Sequence, residues 1–241
     1  MTEDHPNPQR LASPWILGAL TFGLLALYLL GSYPTLSPYR DSGDLAAAAL
    51  TLGVAHPPGY PVYVLLGKAW LGLLGLGNPA YRLQALSALL AAAACSVLFL
   101  SLARRTLAGA VAGFLILGFA PAFRHLSVVS EMYSLNALMA ALILFLLREG
   151  PLAAAPFARR ERPRSEDGGL LAAAPGAKAL ACAALVLGLG LVNHQTLLAA
   201  LPLLLLCGRG ELFGPLDRRR LRLWGACALF FLLGLFLYAY L

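Results

Sequence analysis

Runs of Leu, Ala and Gly alternate with short polar breaks along the chain, and the breaks set the elements. The first apolar run, residues 14–30, is too long for a removable signal peptide and lacks its cleavage pattern, so it reads as a retained membrane span. An alanine-rich segment, 45–54, reads as a short helix. Residues 62–77 are apolar but short, dotted with glycine and interrupted by Lys68. That pattern predicts a helix lying in the membrane interface, with Lys68 and Trp70 near the headgroups. Residues 83–103, closed by Arg104 and Arg105, form the second span, followed by 107–123 and 132–147. Residues 149–177 carry Pro, Ala and Arg without helical period and read as a disordered cytoplasmic linker with a basic core at 159–164. Beyond it, 178–207 is apolar except for Asn193, His194 and Gln195, and 223–241 is the last span.

Composition narrows the class. With 60% hydrophobic and 12% charged residues, the chain is too apolar for an ordinary soluble domain. It reads as an all-α polytopic bundle, a single transmembrane domain over 1–241 whose first partner is the lipid bilayer. The net charge of +7 sits in clusters between spans, so nucleic acid is excluded as a partner. Cys95, Cys182, Cys207 and Cys227 lie scattered in apolar segments and read as packing residues.

Charge also orients the bundle. One continuous helix over 178–207 would put the polar trio at mid-membrane and divide Lys and Arg evenly between the two sides. A hairpin of two short helices, with 62–77 lying flat, leaves only Arg40, Lys68, Arg82 and Arg124 outside. Letting 62–77 span would throw the 159–164 cluster outside. The positive-inside bias therefore favours about seven spans with the hairpin. Each arm is shorter than the ~20 residues that cross a bilayer, so His194 is expected at the floor of an outer cavity.

On this map the outward carboxylates are Asp41, Asp44 and Glu131, joined by His56, His125 and His194. Polar groups beside a membrane span are costly to keep near lipid, so a functional site is their default reading. Each has a structural alternative. Asp41-Ser-Gly-Asp44 has the spacing of a helix start, with Asp41 as N-cap and Asp44 favoured by the dipole. His56-Pro-Pro-Gly-Tyr60-Pro61 is a rigid turn, yet nothing about a turn requires imidazole. Arg124-His125 and Glu131-Met-Tyr133 lie between the third and fourth spans; there Glu131 would start a helix and Tyr133 belong to an interfacial belt. Asn193-His194-Gln195 reads as a turn or as a polar floor. No G-x-S-x-G elbow, H-E-x-x-H pair or Walker loop occurs.

Asp-Ser-Gly-Asp followed by Thr51-Leu-Gly-Val-Ala-His56-Pro-Pro-Gly-Tyr-Pro61 resembles the signature of a polytopic family long described only as a domain of unknown function. Its animal relatives act as protein O-mannosyltransferases. A loop Asp, a Pro-Pro-x-Tyr turn, an interfacial helix and the Arg-led Tyr81-Arg82-Leu83 are similar to the GT-C superfamily of membrane glycosyltransferases. Glu131-Met-Tyr133-Ser-Leu and Gly190-Leu-Val-Asn193-His194-Gln-Thr196 look like further family motifs.

The resemblance implies a GT-C-like fold and an inverting enzyme acting on the non-cytoplasmic face. It would move a mannose-like sugar from a polyprenyl-phosphate donor to a hydroxyl of a protein or glycan acceptor. The family's loop aspartate falls on Asp41, as general base, with Asp44 at the neighbouring acidic position. Arg40, His56, Lys68 and Arg124 are the cations and donors available to the lipid phosphate, with Tyr60, His125, Glu131, Tyr133, Asn193 and His194 lining the substrate cavity. A divalent cation on Asp41 and Asp44 stays open, since hard cations take carboxylate oxygens. Such enzymes have more spans and often a soluble domain, so the chain is read as a fragment or minimal member. Its Ala, Leu and Arg richness points to a bacterial inner membrane. The alternatives are a non-catalytic lipid-linked-sugar carrier or flippase, and a membrane assembly subunit.

Overall fold

Prolines and single polar side chains decide where each helix starts and stops. The computed structural model describes residues 8–73, 75, 77–103, 106–149 and 176–241, and every regular element in it is helical. Nearly all of the expected linker, 150–175, lies outside the described residues. The helices are α1 (Pro8–Gly31), α2 (Ser42–Thr51), α3 (Pro61–Leu73), α4 (Pro79–Ala103), α5 (Leu107–Phe119), α6 (Pro121–Ser127), α7 (Tyr133–Glu149), α8 (Ala177–Asn193), α9 (Leu201–Leu212) and α10 (Arg218–Leu235). Short 3₁₀ turns, Gln195–Ala200 and Phe236–Tyr240, lead into α9 and follow α10.

The expected third span, 107–123, is a bent pair of helices and not one continuous helix. Thr106 caps α5 by accepting the Gly109 N–H at 2.9 Å, but α5 ends at Phe119 and α6 leaves at 67°. Pro121 is the cause. It disfavours α geometry at Ala120, which is extended in ψ (125°), and then serves as the first residue of α6. The break within 178–207 falls where the polar trio lies: His194 is extended (φ −160°, ψ 130°) between α8 and the 3₁₀ turn. The second arm, Gln195–Leu212, is longer than the sequence suggests, because it runs past Cys207 through Arg209.

Among the described residues, Pro14–Gly31, Pro79–Ala103, Gln195–Leu212 and Arg218–Tyr240 are long and apolar enough to cross a membrane. The bent pair α5–α6 makes a fifth crossing if it counts as one. Pro61–Leu73, the expected interfacial helix, is among the shorter apolar helices, with Tyr133–Leu147 and Ala177–Asn193. Large apolar side chains such as Trp15, Phe22, Ile116 and Leu229 face outward, as lipid-facing surfaces do.

The two larger apolar cores among the described residues hold most of the helices. Leu24 and Tyr28 of α1 pack with Cys95 and Phe99 of α4 and Phe114 of α5, and the Tyr28 hydroxyl donates to the Gly118 carbonyl at 2.6 Å. Tyr63, Leu86, Ile143, Leu180 and Leu187 form the larger core among α3, α4, α7 and α8. The α8 and α10 backbones approach closely at Gly188 and Gly234. A Cβ on Gly188 would lie 2.3 Å from the Phe231 carbonyl oxygen, and one on Gly234 2.6 Å from the Leu189 nitrogen. Small residues allow such packing in helical membrane proteins.

Candidate active site

Asp41 sits at the N-cap position of α2, where a side-chain oxygen normally accepts a first-turn N–H. Its carboxylate makes no such bond. What is fixed is its backbone. The Asp41 N–H donates to Glu131 Oε1 at 3.2 Å, and the Ser42 hydroxyl donates to the same oxygen at 3.4 Å. Arg40, just before it, has φ +28°, a left-handed conformation costly for a residue with a side chain. The Asp41 side chain is held from behind and left 40% exposed.

Asp44 lies in the first turn of α2, where the helix dipole favours its charge, and it has a partner as well. Its Oδ2 accepts the His56 N–H at 3.0 Å and pairs with His56 Nδ1 at 2.7 Å. These bonds, the backbone one first, hold its carboxyl below the usual carboxylate range against the cost of burial. The ionised Asp44 fixes the proton of His56 on Nδ1. Nε2 then faces the Tyr60 hydroxyl at 3.2 Å and Asp41 Oδ2 at 3.5 Å. The turn makes this possible: Gly59 (φ +91°) and Tyr60 (φ +47°) bend the chain so that His56 and Tyr60 meet edge to face, with centroids 5.1 Å apart.

Glu131 is fully buried in the α6–α7 connection. Helix α7 begins at Tyr133, so Glu131 does not start a helix; its side chain turns back to Asp41. Oε1 carries two hydrogen bonds, while Oε2 is buried without a partner among the described residues. Burial, then the charge of Asp41, pushes its pKa up to about 7, against the opposing pull of the two donors.

The α8–α9 break closes the cluster. The His194 ring lies parallel to Tyr60 at 6.3 Å and tilted against Tyr133 at 5.5 Å, so Tyr133 faces the cluster instead of a lipid headgroup belt. Buried Asn193 donates to the Met132 carbonyl at 3.2 Å and anchors this break to the start of α7. On the other flank, His125 meets Tyr39 edge to face at 4.7 Å, and the Arg40 guanidinium lies 5.7 Å from the centre of the same ring. Arg124 is exposed, and among the described residues neither it nor Arg40 pairs with a carboxylate.

Lys68 stands apart. Its ammonium donates to the Leu50 carbonyl at 2.6 Å, satisfying the C-terminal end of α2. Conversely, Ser42, Tyr39, Asn136 and Thr196 join the cluster without having been singled out. Asn136 carried the clearest signal, as a lone amide in the apolar run of α7. No group of three or more His, Cys, Asp or Glu that could hold a metal ion occurs among the described residues. Asp44 uses Oδ2 for both of its bonds to His56.

The fold and site define a polytopic helical membrane protein in which acids, histidines and tyrosines from four chain connections meet at the helix ends. Residues 41–208 match the family model described as the protein O-mannosyl-transferase TMEM260 N-terminal domain, and the chain belongs to that family. The mouse protein O-mannosyl-transferase TMEM260 is 38% identical over 152 residues, which is 59% of this chain and 21% of that protein. The Dictyostelium discoideum protein O-mannosyl-transferase tmem260 is 26% identical over 125 residues, 50% of this chain and 15% of that protein. The matched stretch is thus about a fifth of the mouse relative or less. No solved structure gives a significant match.

Proposed function

We propose that this chain forms the membrane-embedded catalytic part of an inverting, GT-C-like glycosyltransferase. It moves a mannose-like sugar from a polyprenyl-phosphate donor to a hydroxyl of a protein or glycan acceptor, on the non-cytoplasmic face of a bacterial inner membrane. Relatives named O-mannosyl-transferases support the reaction class. The observation that carries it is the Asp41 carboxylate: at the N-cap position, it caps nothing, and it is 40% exposed beside His56.

Asp41 takes the proton of the acceptor hydroxyl as its oxygen bonds to the anomeric carbon. The bond from that carbon to the phosphate oxygen breaks, and the lipid phosphate leaves with the electron pair. A phosphate leaving group needs charge stabilisation more than a proton. Arg40 and Arg124 supply it, since guanidinium suits phosphate geometry. His56, oriented by Asp44, presents Nε2 to Asp41 at 3.5 Å and to the Tyr60 hydroxyl at 3.2 Å.

The test uses membranes holding wild type or Asp41→Asn and radiolabelled polyprenyl-phosphate mannose. General-base help is typically worth about 10²–10⁴-fold, so turnover in the variant should fall by that factor. Unchanged turnover would remove Asp41 as base. Lipid binding without turnover in both proteins would favour the carrier.

A further inference from the structure

The proposed chemistry uses the Asp41 side of the cluster and leaves a second polar arrangement unexplained, around His194. The Thr196 backbone N–H donates to His194 Nδ1 at 3.3 Å, and the Thr196 hydroxyl lies 2.7 Å from the same nitrogen. A backbone N–H cannot reverse its role, so Nδ1 is an acceptor and the ring proton sits on Nε2. The Thr196 hydroxyl receives the Asn136 amide N–H at 3.1 Å and passes its own proton toward Nδ1. Three side chains from α7 and the α8–α9 break thereby fix one tautomer. Burial lowers the His194 pKa, which favours the neutral ring. The ring is partly exposed, parallel to Tyr60 and tilted against Tyr133.

A fixed, neutral N–H donor between two phenol rings suits an uncharged ring bearing hydroxyls. It carries no positive charge to offset that of an anion. Tyr60 stands in the field of Asp41, Glu131 and Asp44, whose charges, after burial, push its pKa up. A phosphate there would meet the same repulsion, while Arg40 and His125 lie on the Tyr39 flank. The cluster is therefore divided by charge.

We propose that His194, held by Thr196 and Asn136 between Tyr60 and Tyr133, is the subsite for the donor's sugar ring, separate from the basic flank that takes its phosphate. The inference rests on the glycosyl-transfer reading. It assigns Asn136 and Thr196 as positioning residues and the His194 Nε2–H and the two tyrosines as the sugar contacts.

The experiment measures binding of bare polyprenyl phosphate and polyprenyl-phosphate mannose to the purified full chain, as wild type, Thr196→Val and His194→Ala. Wild type should bind the sugar-bearing lipid about tenfold more tightly, the scale of one neutral hydrogen bond together with ring stacking. His194→Ala should erase that preference and Thr196→Val should weaken it, and both should leave affinity for the bare lipid within about twofold of wild type. Thr196→Val removes one hydroxyl and keeps the backbone N–H, so it tests the hydroxyl link from Asn136 to the His194 ring without emptying the cavity. Equal losses for both lipids, or a preserved sugar preference, overturns the subsite. Wild type binding neither lipid overturns both the subsite and the glycosyl-transfer reading. Turnover retained in Asp41→Asn, with the sugar preference still dependent on His194, removes the catalytic mechanism and leaves the subsite standing.

Discussion

Glu131 Oε1 accepts the backbone N–H of Asp41 at 3.2 Å, so a buried acid from the α6–α7 connection positions the loop aspartate whose carboxylate makes no cap bond. The bond spans 90 residues of sequence and joins two loops that each lack regular structure to hold them. Loops on a rigid helical scaffold are where catalytic groups are usually placed, and such loops need ties of this kind.

Glu131→Gln keeps an acceptor for Asp41 and Ser42 but cannot ionise, whereas Glu131→Leu leaves both donors unpaired. We expect Gln to retain most transfer activity, and Leu to lose about 1–3 kcal/mol of stability and at least tenfold in turnover. The pH dependence of stability follows from the raised pKa. Folded Glu131 holds its proton up to about 7, while the unfolded chain releases it near the ordinary glutamate value of 4.5. Stability from this group is thus full below that lower value and is lost as pH rises to about 7, by on the order of 3 kcal/mol. Thermal unfolding in detergent at pH 5 and pH 8 checks it: the difference between the two should shrink in Glu131→Gln.

Asp44 gives the opposite sign. Its pKa is depressed below 3.8, so its contribution is present above that value and lost only as pH falls through the folded pKa. Asp44→Asn should leave the slope of stability between pH 5 and pH 8 as in wild type. Its effect belongs in turnover, because the amide holds His56 without an ionic partner. A drop of about tenfold or more is expected from the same membrane assay. A changed slope in that range would overturn the sign given for Asp44.

The apolar runs and the helix stops were legible in the sequence, because hydropathy and proline act locally. The polar trio at 193–195 marked a break for the same reason, and His194 is extended there. What the sequence obscured needs three dimensions. Asp41 and Asp44 look alike in the Asp-Ser-Gly-Asp spacing, yet one is engaged by His56 through two bonds and the other is free of any cap bond. Pro121 stands inside the apolar run 107–123, and it breaks what hydropathy alone reads as one continuous helix. Thr196 could not be found from its type alone, since its role comes from its register against Asn136.

The α8–α10 crossing yields a prediction independent of the chemistry. A methyl on Gly188 meets backbone, the Phe231 carbonyl oxygen at 2.3 Å, and no side-chain motion relieves that. Gly188→Ala should destabilise by roughly 1–3 kcal/mol through separation of the helices. Gly18→Ala in α1 has nothing within 4 Å of the new methyl, so it should be neutral or stabilising by up to about 1 kcal/mol. Unfolding midpoints for the two variants, measured in one detergent, compare the same substitution with and without an opposing backbone.

The last prediction separates cations that the sequence treats as equals. Lys68 is committed to the Leu50 carbonyl, whereas Arg40 lies by the Tyr39 ring and Arg124 stands free of carboxylates among the described residues. A lipid phosphate would draw on the arginines. Lys68→Met should cost about 0.3–1 kcal/mol of stability, as loss of a cation at a helix C-terminus does, with turnover changed less than about twofold. Arg124→Met should raise the KM for the lipid donor about tenfold or more, because a charge-assisted hydrogen bond is worth about 1.5–3 kcal/mol. Donor titrations on both variants decide the matter. A larger KM effect from Lys68→Met would put the phosphate beside α3 and remove the basic flank around Tyr39 from the proposed mechanism.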